Sequence, residues 1–166
     1  MGTMENLAAA FAGESQANRK YLAFATKAQK DGFPQVAKLF RAAAEAETIH
    51  AHAHLRVMGG INSTLENLED AIAGEAHEFK NMYPEFLAEA EKEGHKKAVT
   101  TFKNAMPVEE VHHDLYTRAL EAVKGGGDLP EACIHICPVC GHTIEGGAPE
   151  KCPVCNVPGK KYIEIS

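Results

Sequence analysis

The chain has 166 residues, of which 45% are hydrophobic, and its formal net charge is −6. This length allows one ordinary domain and a small appendage. The chain is acidic and has no long basic run, so we do not expect it to bind nucleic acid or an anionic membrane. The N-terminus lacks the basic start and apolar core of a signal peptide, and we find no stretch apolar enough to span a bilayer. We therefore expect a cytoplasmic protein.

Four helices are predicted in the first 124 residues, which are rich in Ala, Glu, Lys and Leu. Glycine and proline mark most of the breaks, and Ser63 with Glu66 forms a capping box at the start of the third helix. The predicted helices cover about residues 3–29, 34–59, 64–93 and 95–124.

The composition changes after the fourth helix. The stretch "GGGDLPEA" reads as a flexible linker, and the remaining residues are rich in Cys, Pro and Gly without helical period. We predict a helical domain at 1–127 and a small metal-binding domain at 128–166, with 128–132 as the linker. The expected fold class is mainly α: a four-helix bundle followed by a small β/loop module.

Each predicted helix has an apolar seam with acidic residues near its middle. We assign seam positions at alternating intervals of four and three residues along each helix, because positions three apart share one face. The seam then contains one Glu in the first helix, Glu-x-x-Glu in the third, and Glu-x-x-His in the second and fourth. The inward ligand-type residues are Glu14, Glu47, His50, Glu75, Glu78, Glu109 and His112.

Five carboxylates that converge on one core would repel each other and lose hydration. A pair of divalent cations removes this cost, and carboxylate with imidazole suits iron or manganese. Two helices with a Glu and two with Glu-x-x-His match the pattern of di-iron bundles. A third Glu-x-x-His, at Glu110 and His113, is one residue out of register with the seam and is interpreted as coincidence.

The C-terminal part contains two Cys-x-x-Cys pairs, and in a reducing compartment such pairs indicate a metal site rather than disulfides. The pairs predict a tetrahedral four-thiolate site, which takes zinc or a single iron. Cys133 lies outside the pattern and is interpreted as a small hydrophobic residue. The four predicted ligands are Cys137, Cys140, Cys152 and Cys155.

Both halves of the chain resemble the rubrerythrin family, which combines a ferritin-like di-iron bundle with a rubredoxin-like domain. The resemblance covers essentially the whole chain and is carried by "AFAGESQANRKYLAFA", "EAETIHA", "AIAGEAHEFKNMYPEF", "VEEVHHDLY" and "CPVCG...APEKCPVC". It implies that the inward Glu and His residues bind two irons, with Glu47 and Glu109 bridging, and that the four cysteines hold one iron. It also implies that His50 exchanges with Glu78 as an iron ligand, and that Tyr21 and Tyr83 lie beside the di-iron carboxylates.

The resemblance further implies a peroxidase that reduces hydrogen peroxide to water in defence against oxidative stress. Electrons would come from a reduced pyridine nucleotide through rubredoxin or a linked reductase, and pass from the thiolate-bound iron to the di-iron site. Two other classes stay open at this point. One is a ferroxidase or iron-handling protein of the ferritin kind, and the other is a redox carrier or stress-response binding protein whose di-metal site is idle or holds zinc.

Two residues depart from the expected pattern. Pro107 lies inside the fourth helix, two residues before Glu109, and lacks the N–H that a helix interior uses, so we predict a kink or bulge there. His142 follows Cys140-Gly141, where rubredoxin-like domains often carry an aromatic residue, and this mildly favours zinc over iron.

The connection between the second and third helices is short. In ferritin-like bundles these two helices run parallel, so the connection must return along the bundle. Glu47 lies roughly 17 Å before the end of its helix, and Glu75 roughly 16 Å into a helix that starts at Thr64. A linker of about five residues reaches only about 18 Å. Either the third helix starts nearer Asp70, or it joins a second subunit; we predict a domain-swapped homodimer.

Overall fold

The computed structural model describes residues 2–165, which form long helices followed by a small module with short strands. The predicted class, mainly α with a small C-terminal β/loop module, is confirmed. None of the described helices is both long enough and apolar enough to cross a membrane. The elements are α1 Thr3–Lys30, α2 Pro34–Val57, α3 Thr64–His77, a π-helical segment Glu78–Met82, α4 Tyr83–Lys92, α5 Lys96–Lys124, β1 Ile134–Ile136, β2 Thr143–Glu145, a 3-10 turn Gly159–Lys161 and β3 Ile163–Ile165.

The chain divides into two compact units, residues 2–62 and 63–165. The second unit combines α3 to α5 with the cysteine module, whereas the predicted domain boundary lies near residue 127. The first unit is the pair of α1 and α2.

Small side chains form the contact between α1 and α2. Ala37 and Ala44 are at most 1% exposed, which allows the two backbones to approach closely. Asn18 lies in this contact and its Nδ2 donates to the carbonyl of Ala44 at 2.7 Å. Large apolar residues do not share this burial, since Phe24 is 47% and Leu39 is 69% exposed. The α1–α2 pair therefore leaves much of its apolar surface uncovered.

The third predicted helix contains a π-helical segment. Its start is as expected: Ser63 Oγ accepts from the N–H of Glu66, whose carboxylate accepts from Ser63 N–H. Further along, the N–H of Tyr83 donates to the carbonyl of Glu78, five residues back. Pro84 follows and has no N–H to continue the usual pattern, which explains the wider turn. The irregular turn thus begins at a predicted metal ligand.

Of the kink or bulge predicted at Pro107, the bulge is wrong, and the kink stays a prediction. Helix α5 is α-helical from Lys96 to Lys124, and Pro107 lies inside it. The helix packs against α3, α4 and β2, and Val108 is buried. Tertiary packing on several sides outweighs the loss of one backbone hydrogen bond.

The C-terminal module is a three-stranded antiparallel sheet with strand order β2–β1–β3. The first Cys-x-x-Cys turn joins β1 to β2, and the second precedes the 3-10 turn. Cys137 and Cys152 are almost fully buried. The sheet and the turns next to it therefore bring the two pairs of thiols close together.

Candidate metal centres

The first ligand group lies on the α1–α2 pair. Glu14, Glu47 and His50 each offer a ligand atom, and these atoms lie within 4.8 Å of one another. Nδ1 of His50 is 3.1 Å from Oε2 of Glu47. The pKa of Glu14 is raised, mainly by its hydrogen bond to Glu47, and the same bond lowers the pKa of Glu47. The two carboxylates are thus hydrogen-bonded to each other in a place that a divalent cation would fill.

The second ligand group lies on α3 and α5. Glu75, Glu109 and His112 present ligand atoms within 4.8 Å of one another. Nδ1 of His112 is 2.9 Å from Oε2 of Glu109 and 3.6 Å from Oε1 of Glu75. Burial, followed by the charge of Glu109, raises the pKa of Glu75. The physical reason differs from that at Glu14: here burial, together with a neighbouring carboxylate, disfavours the ionised form.

Glu78 is not part of that group, although it follows Glu75 by three positions on the same helical stretch. Burial and the charge of Glu109 raise its pKa, so it lies within electrostatic reach of the group. Tyr83 shares this environment: burial, and then the charges of Glu109 and Glu78, raise its pKa. Tyr21, by contrast, belongs to an aromatic cluster of the first unit, with ring centroids 6.1 Å from Phe40 and 6.3 Å from Phe24.

The third ligand group consists of the four thiols of Cys137, Cys140, Cys152 and Cys155, whose sulfur atoms all lie within 4.8 Å of one another. Sγ of Cys137 is 3.6 Å from Sγ of Cys155, and Sγ of Cys140 is 3.5 Å from Sγ of Cys152. Such spacing suits a tetrahedral metal ion. Cys133 is exposed and does not belong to this group.

The thiols differ in how readily they ionise. Burial acts to raise the pKa of Cys152, but hydrogen bonds from the Cys155 backbone and the Tyr162 hydroxyl bring it down to about 6. Burial raises the pKa of Cys140 well above its ordinary range. A thiolate is the form that binds metal, so Cys152 is the thiol best prepared to receive the ion.

His142 is buried at 7% exposure and packs as an aromatic residue would. Its ring lies edge-on to that of Tyr162, with centroids 6.1 Å apart, and Nδ1 is 3.0 Å from the tyrosine hydroxyl. Burial lowers its pKa. The packing role expected of an aromatic residue is therefore retained.

The donor sets fit the metals that the sequence indicates. Two groups offer two carboxylates and one imidazole each, a combination suited to non-haem iron or manganese, while four thiols suit iron or zinc. Sequence reasoning missed two residues beside these groups: Thr143, whose hydroxyl is 3.0 Å from Nε2 of His112, and Tyr162. Neither belongs to a motif or a periodic pattern, so the sequence carries no signal for them.

Comparisons with known proteins agree with this geometry. Residues 5–120 match the family described as Rubrerythrin, and residues 135–163 match the Rubrerythrin, rubredoxin-like domain. The chain is 34% identical to Rubrerythrin-2 of Clostridium acetobutylicum, over 96% of this chain and 95% of the relative. It is 37% identical to Nigerythrin of Nitratidesulfovibrio vulgaris, over 94% of this chain and 83% of the relative.

A solved structure of nigerythrin in its fully reduced, all-ferrous state is similar with a TM-score of 0.59 and 35% identity, covering 99% of this chain and 87% of that chain. The four clustered cysteines and the two Glu/His groups accordingly correspond to a rubredoxin-type iron site and a di-iron site. Since one family match spans most of the chain and these relatives align along nearly all of it, the protein belongs to the rubrerythrin family of iron-binding oxidoreductases.

Proposed function

We propose that this protein is a non-haem di-iron peroxidase that reduces hydrogen peroxide to water in oxidative-stress defence. The supporting observation is that one chain carries a four-thiolate group together with two carboxylate–imidazole groups. A ferroxidase or storage protein of the ferritin kind has no need of a thiolate-bound electron carrier. A peroxidase has that need, because its metal site must be reduced again after each turnover.

The proposed ligands follow the groups already described, with Glu78 added to the di-iron set because it responds to the charge of Glu109. We keep the division into a di-iron domain at 1–127 and a rubredoxin-like domain at 128–166. Cytoplasmic location is also proposed, since paired cysteines that bind metal suit a reducing compartment. The di-iron ligands are Glu14, Glu47, His50, Glu75, Glu78, Glu109 and His112, and the ligands of the single iron are Cys137, Cys140, Cys152 and Cys155.

Reduction of one hydrogen peroxide to two waters consumes two electrons and two protons. The carboxylates and imidazoles would hold two ferrous ions, which would supply the electron pair when bound. Protein side chains must supply the two protons. Tyr83 has a raised pKa and holds its proton beside Glu78 and Glu109, and His50 is 55% exposed at its side chain, which suits exchange of protons with solvent. Tyr21 is proposed as the corresponding tyrosine of the other half-site.

The electron donor is proposed to be rubredoxin or a pyridine-nucleotide-linked reductase. Val139 lies between Cys137 and Cys140 and is 59% exposed. An apolar surface directly beside two metal-binding thiols lets a donor protein approach closely while water is displaced. This arrangement supports one-electron transfer from a protein partner to the thiolate-bound iron.

A peroxide titration tests the reaction. Iron-loaded protein, reduced without oxygen, is titrated with hydrogen peroxide while the visible absorption of the ferric thiolate site is recorded. We expect that colour to return quickly, with about two electrons consumed per peroxide. Colour that returns only slowly, and with oxygen instead of peroxide, would favour the ferroxidase; no thiolate–iron colour at all would favour zinc.

We also propose a domain-swapped homodimer. One alternative for a single subunit was a third helix that starts near Asp70, but α3 begins at Thr64 with a formed capping box. The rise along the helix is about 15 Å from Glu47 to the end of α2 and about 16 Å from Thr64 to Glu75. A single ferritin-like bundle would have to hold these two helices parallel. The segment between Val57 and Thr64 spans at most about 24 Å. This is less than the summed rise of the two helices, which the segment would have to cover in a single bundle.

The exposed apolar residues of the α1–α2 pair support the same proposal, because a second subunit would cover them. In the proposed dimer, each di-iron site takes Glu14, Glu47 and His50 from one subunit and the remaining ligands from the other.

Mixing two inactive variants tests this arrangement. Glu47→Ala and Glu109→Ala each damage every site of their own homodimer. In a swapped heterodimer both changes fall in one site and the second site is intact, so co-expression should restore about a quarter of the wild-type sites in a statistical mixture. Restored peroxide reduction and metal content are the measurements. A mixture that stays inactive, or a monomeric mass by light scattering with the metal site filled, would contradict the swap.

A further inference from the structure

Thr143 lies between the two kinds of metal centre within the second compact unit. Its Oγ1 is 3.0 Å from Nε2 of His112 on α5 and 3.0 Å from the carbonyl oxygen of Gly141. His112 belongs to the second ligand group. Gly141 follows Cys140 directly, in the turn that holds two of the four thiols. One hydroxyl therefore contacts a ligand of one centre and the ligand loop of the other.

The direction of these hydrogen bonds follows from the donors available. The carbonyl of Gly141 can only accept, so the single hydroxyl hydrogen of Thr143 is donated to it. The remaining lone pairs of the hydroxyl face Nε2 of His112, which must then carry the hydrogen. A neutral imidazole protonated at Nε2 has its free lone pair on Nδ1. That nitrogen faces Glu109 and Glu75, where a metal ion would be bound.

The turn on the other side of Thr143 is held by its own hydrogen bonds. The N–H of Gly141 donates to the carbonyl of Cys137, and the N–H of Cys137 donates to the carbonyl of His142, both at 2.9 Å. Gly141 adopts φ +88°, a left-handed conformation that favours glycine. A metal ion bound by the thiols fixes such a turn, because it replaces the weak thiol hydrogen bonds between the two Cys-x-x-Cys pairs with metal–sulfur bonds.

Two further features place this turn and β2 beside the same stretch of α5. A Cβ atom on Gly141 would lie 3.6 Å from Cγ1 of Val108, which is almost fully buried. Farther along, Nη2 of Arg118 is 2.9 Å from Oε2 of Glu145. The cysteine module thus sets the position of Thr143. The neighbouring features at Val108 and at Arg118–Glu145 keep Thr143 beside His112.

We infer that Thr143 is a positioning residue that couples metal binding at the four cysteines to metal binding through His112 in the same chain. An ion at the cysteines orders the turn, the turn places the Thr143 hydroxyl, and the hydroxyl holds the imidazole with Nδ1 toward the carboxylates. Such coupling is reciprocal, so each ion strengthens the binding of the other. The inference rests on the two metal sites and not on the peroxidase reaction.

Manganese binding to the full-length protein, with and without zinc at the cysteines, tests the coupling. One equivalent of Zn²⁺ is added to reduced metal-free protein, because thiolates select zinc, and Mn²⁺ is then titrated because it prefers carboxylate ligands. Free Mn²⁺ is measured by its electron paramagnetic resonance signal. We expect zinc to tighten manganese binding by about 10-fold in the wild type.

Two variants assign this effect to the hydroxyl. Thr143→Val keeps the shape but removes the hydrogen bonds, and should weaken manganese binding by about 10- to 100-fold and abolish its dependence on zinc. Thr143→Ser keeps the hydroxyl and should behave as the wild type. The ring N–H resonance of His112 is a second readout: it should exchange slowly with solvent in the wild type and in Thr143→Ser, and quickly in Thr143→Val.

Binding of one zinc by Thr143→Val confirms that its cysteine module is folded. The inference is overturned if that variant binds manganese as tightly as the wild type, or keeps the same response to zinc. A wild-type protein that shows the coupling but reduces no peroxide would overturn the proposed function alone. A wild-type protein that binds no manganese would overturn the metal site itself, and the inference with it.

Discussion

Replacement of Glu109 by alanine is expected to abolish peroxide reduction, with a loss of about 100-fold or more, because a direct ligand matters more than the outer partners whose loss costs 10- to 100-fold. Glu109 is a predicted bridge, and its carboxylate lies 2.9 Å from Nδ1 of His112. If Glu109 bridges as proposed, its loss would remove a ligand from both ions at once. Iron content and the rate of peroxide reduction are the measurements.

A thermal shift separates loss of metal from loss of folding. The charge of Glu109 contributes to the raised pKa values of Glu75 and Glu78, so its removal relieves repulsion in the metal-free protein. The metal-free variant should therefore melt no lower than the metal-free wild type. The rise in melting temperature on addition of Fe²⁺ should disappear, since that rise measures binding to the folded state.

Glu110→Ala is the matched control. Glu110 is the adjacent residue, it is exposed, and it starts the Glu-x-x-His pair that lies out of register with the seam. Iron content and activity should stay at the wild-type level in this variant. If Glu110→Ala loses activity as Glu109→Ala does, the register of the helical seam on which the di-iron site is based is wrong.

Replacement of Cys140 by serine is expected to separate electron supply from peroxide chemistry. The visible colour of the thiolate-bound iron should be lost, because one of four sulfur ligands is replaced by a hydroxyl that binds iron far less well. Steady turnover with a protein electron donor should fall by at least about 100-fold. A single reaction of peroxide with chemically reduced di-iron should continue, since its ligands lie elsewhere.

Cys133→Ser serves as the control for thiol chemistry in general. Cys133 is exposed and outside the four-thiol group, and a hydrogen bond with Glu164 raises its pKa so that it stays a thiol. This variant should keep both colour and turnover. Full turnover by Cys140→Ser would show that electrons reach the di-iron site without the rubredoxin-like centre.

The helices of this chain were predictable because the signals for their starts and their buried faces lie within the sequence of each helix. Proline at the start of α2 and the Ser63–Glu66 capping box mark helix starts that the structure reproduces. Spacing of three and four residues likewise predicts which Glu and His share a face, and two groups of Glu and His ligand atoms are found together. These are local properties, set within one or two helical turns.

The irregular turn was not predicted at the right place. The sequence contains prolines at 84 and 107 within its helical stretches, and composition does not distinguish them. The structure has the π-helical segment just before Pro84, whereas α5 stays α-helical through Pro107. Packing along each helix decides whether a missing hydrogen bond widens the turn, and packing is not visible in a local pattern.

By itself the sequence determined the mainly α class, the four-thiolate motif and the pairing of Glu and His on shared helical faces, because all of these depend on residue type and short spacing. Tertiary structure alone decided that Thr143 contacts His112, that Tyr162 contacts His142, and that Cys152 ionises more readily than Cys140. The physical reason is distance along the chain: 31 positions separate Thr143 from His112. Such contacts exist only once the cysteine module and α5 pack together.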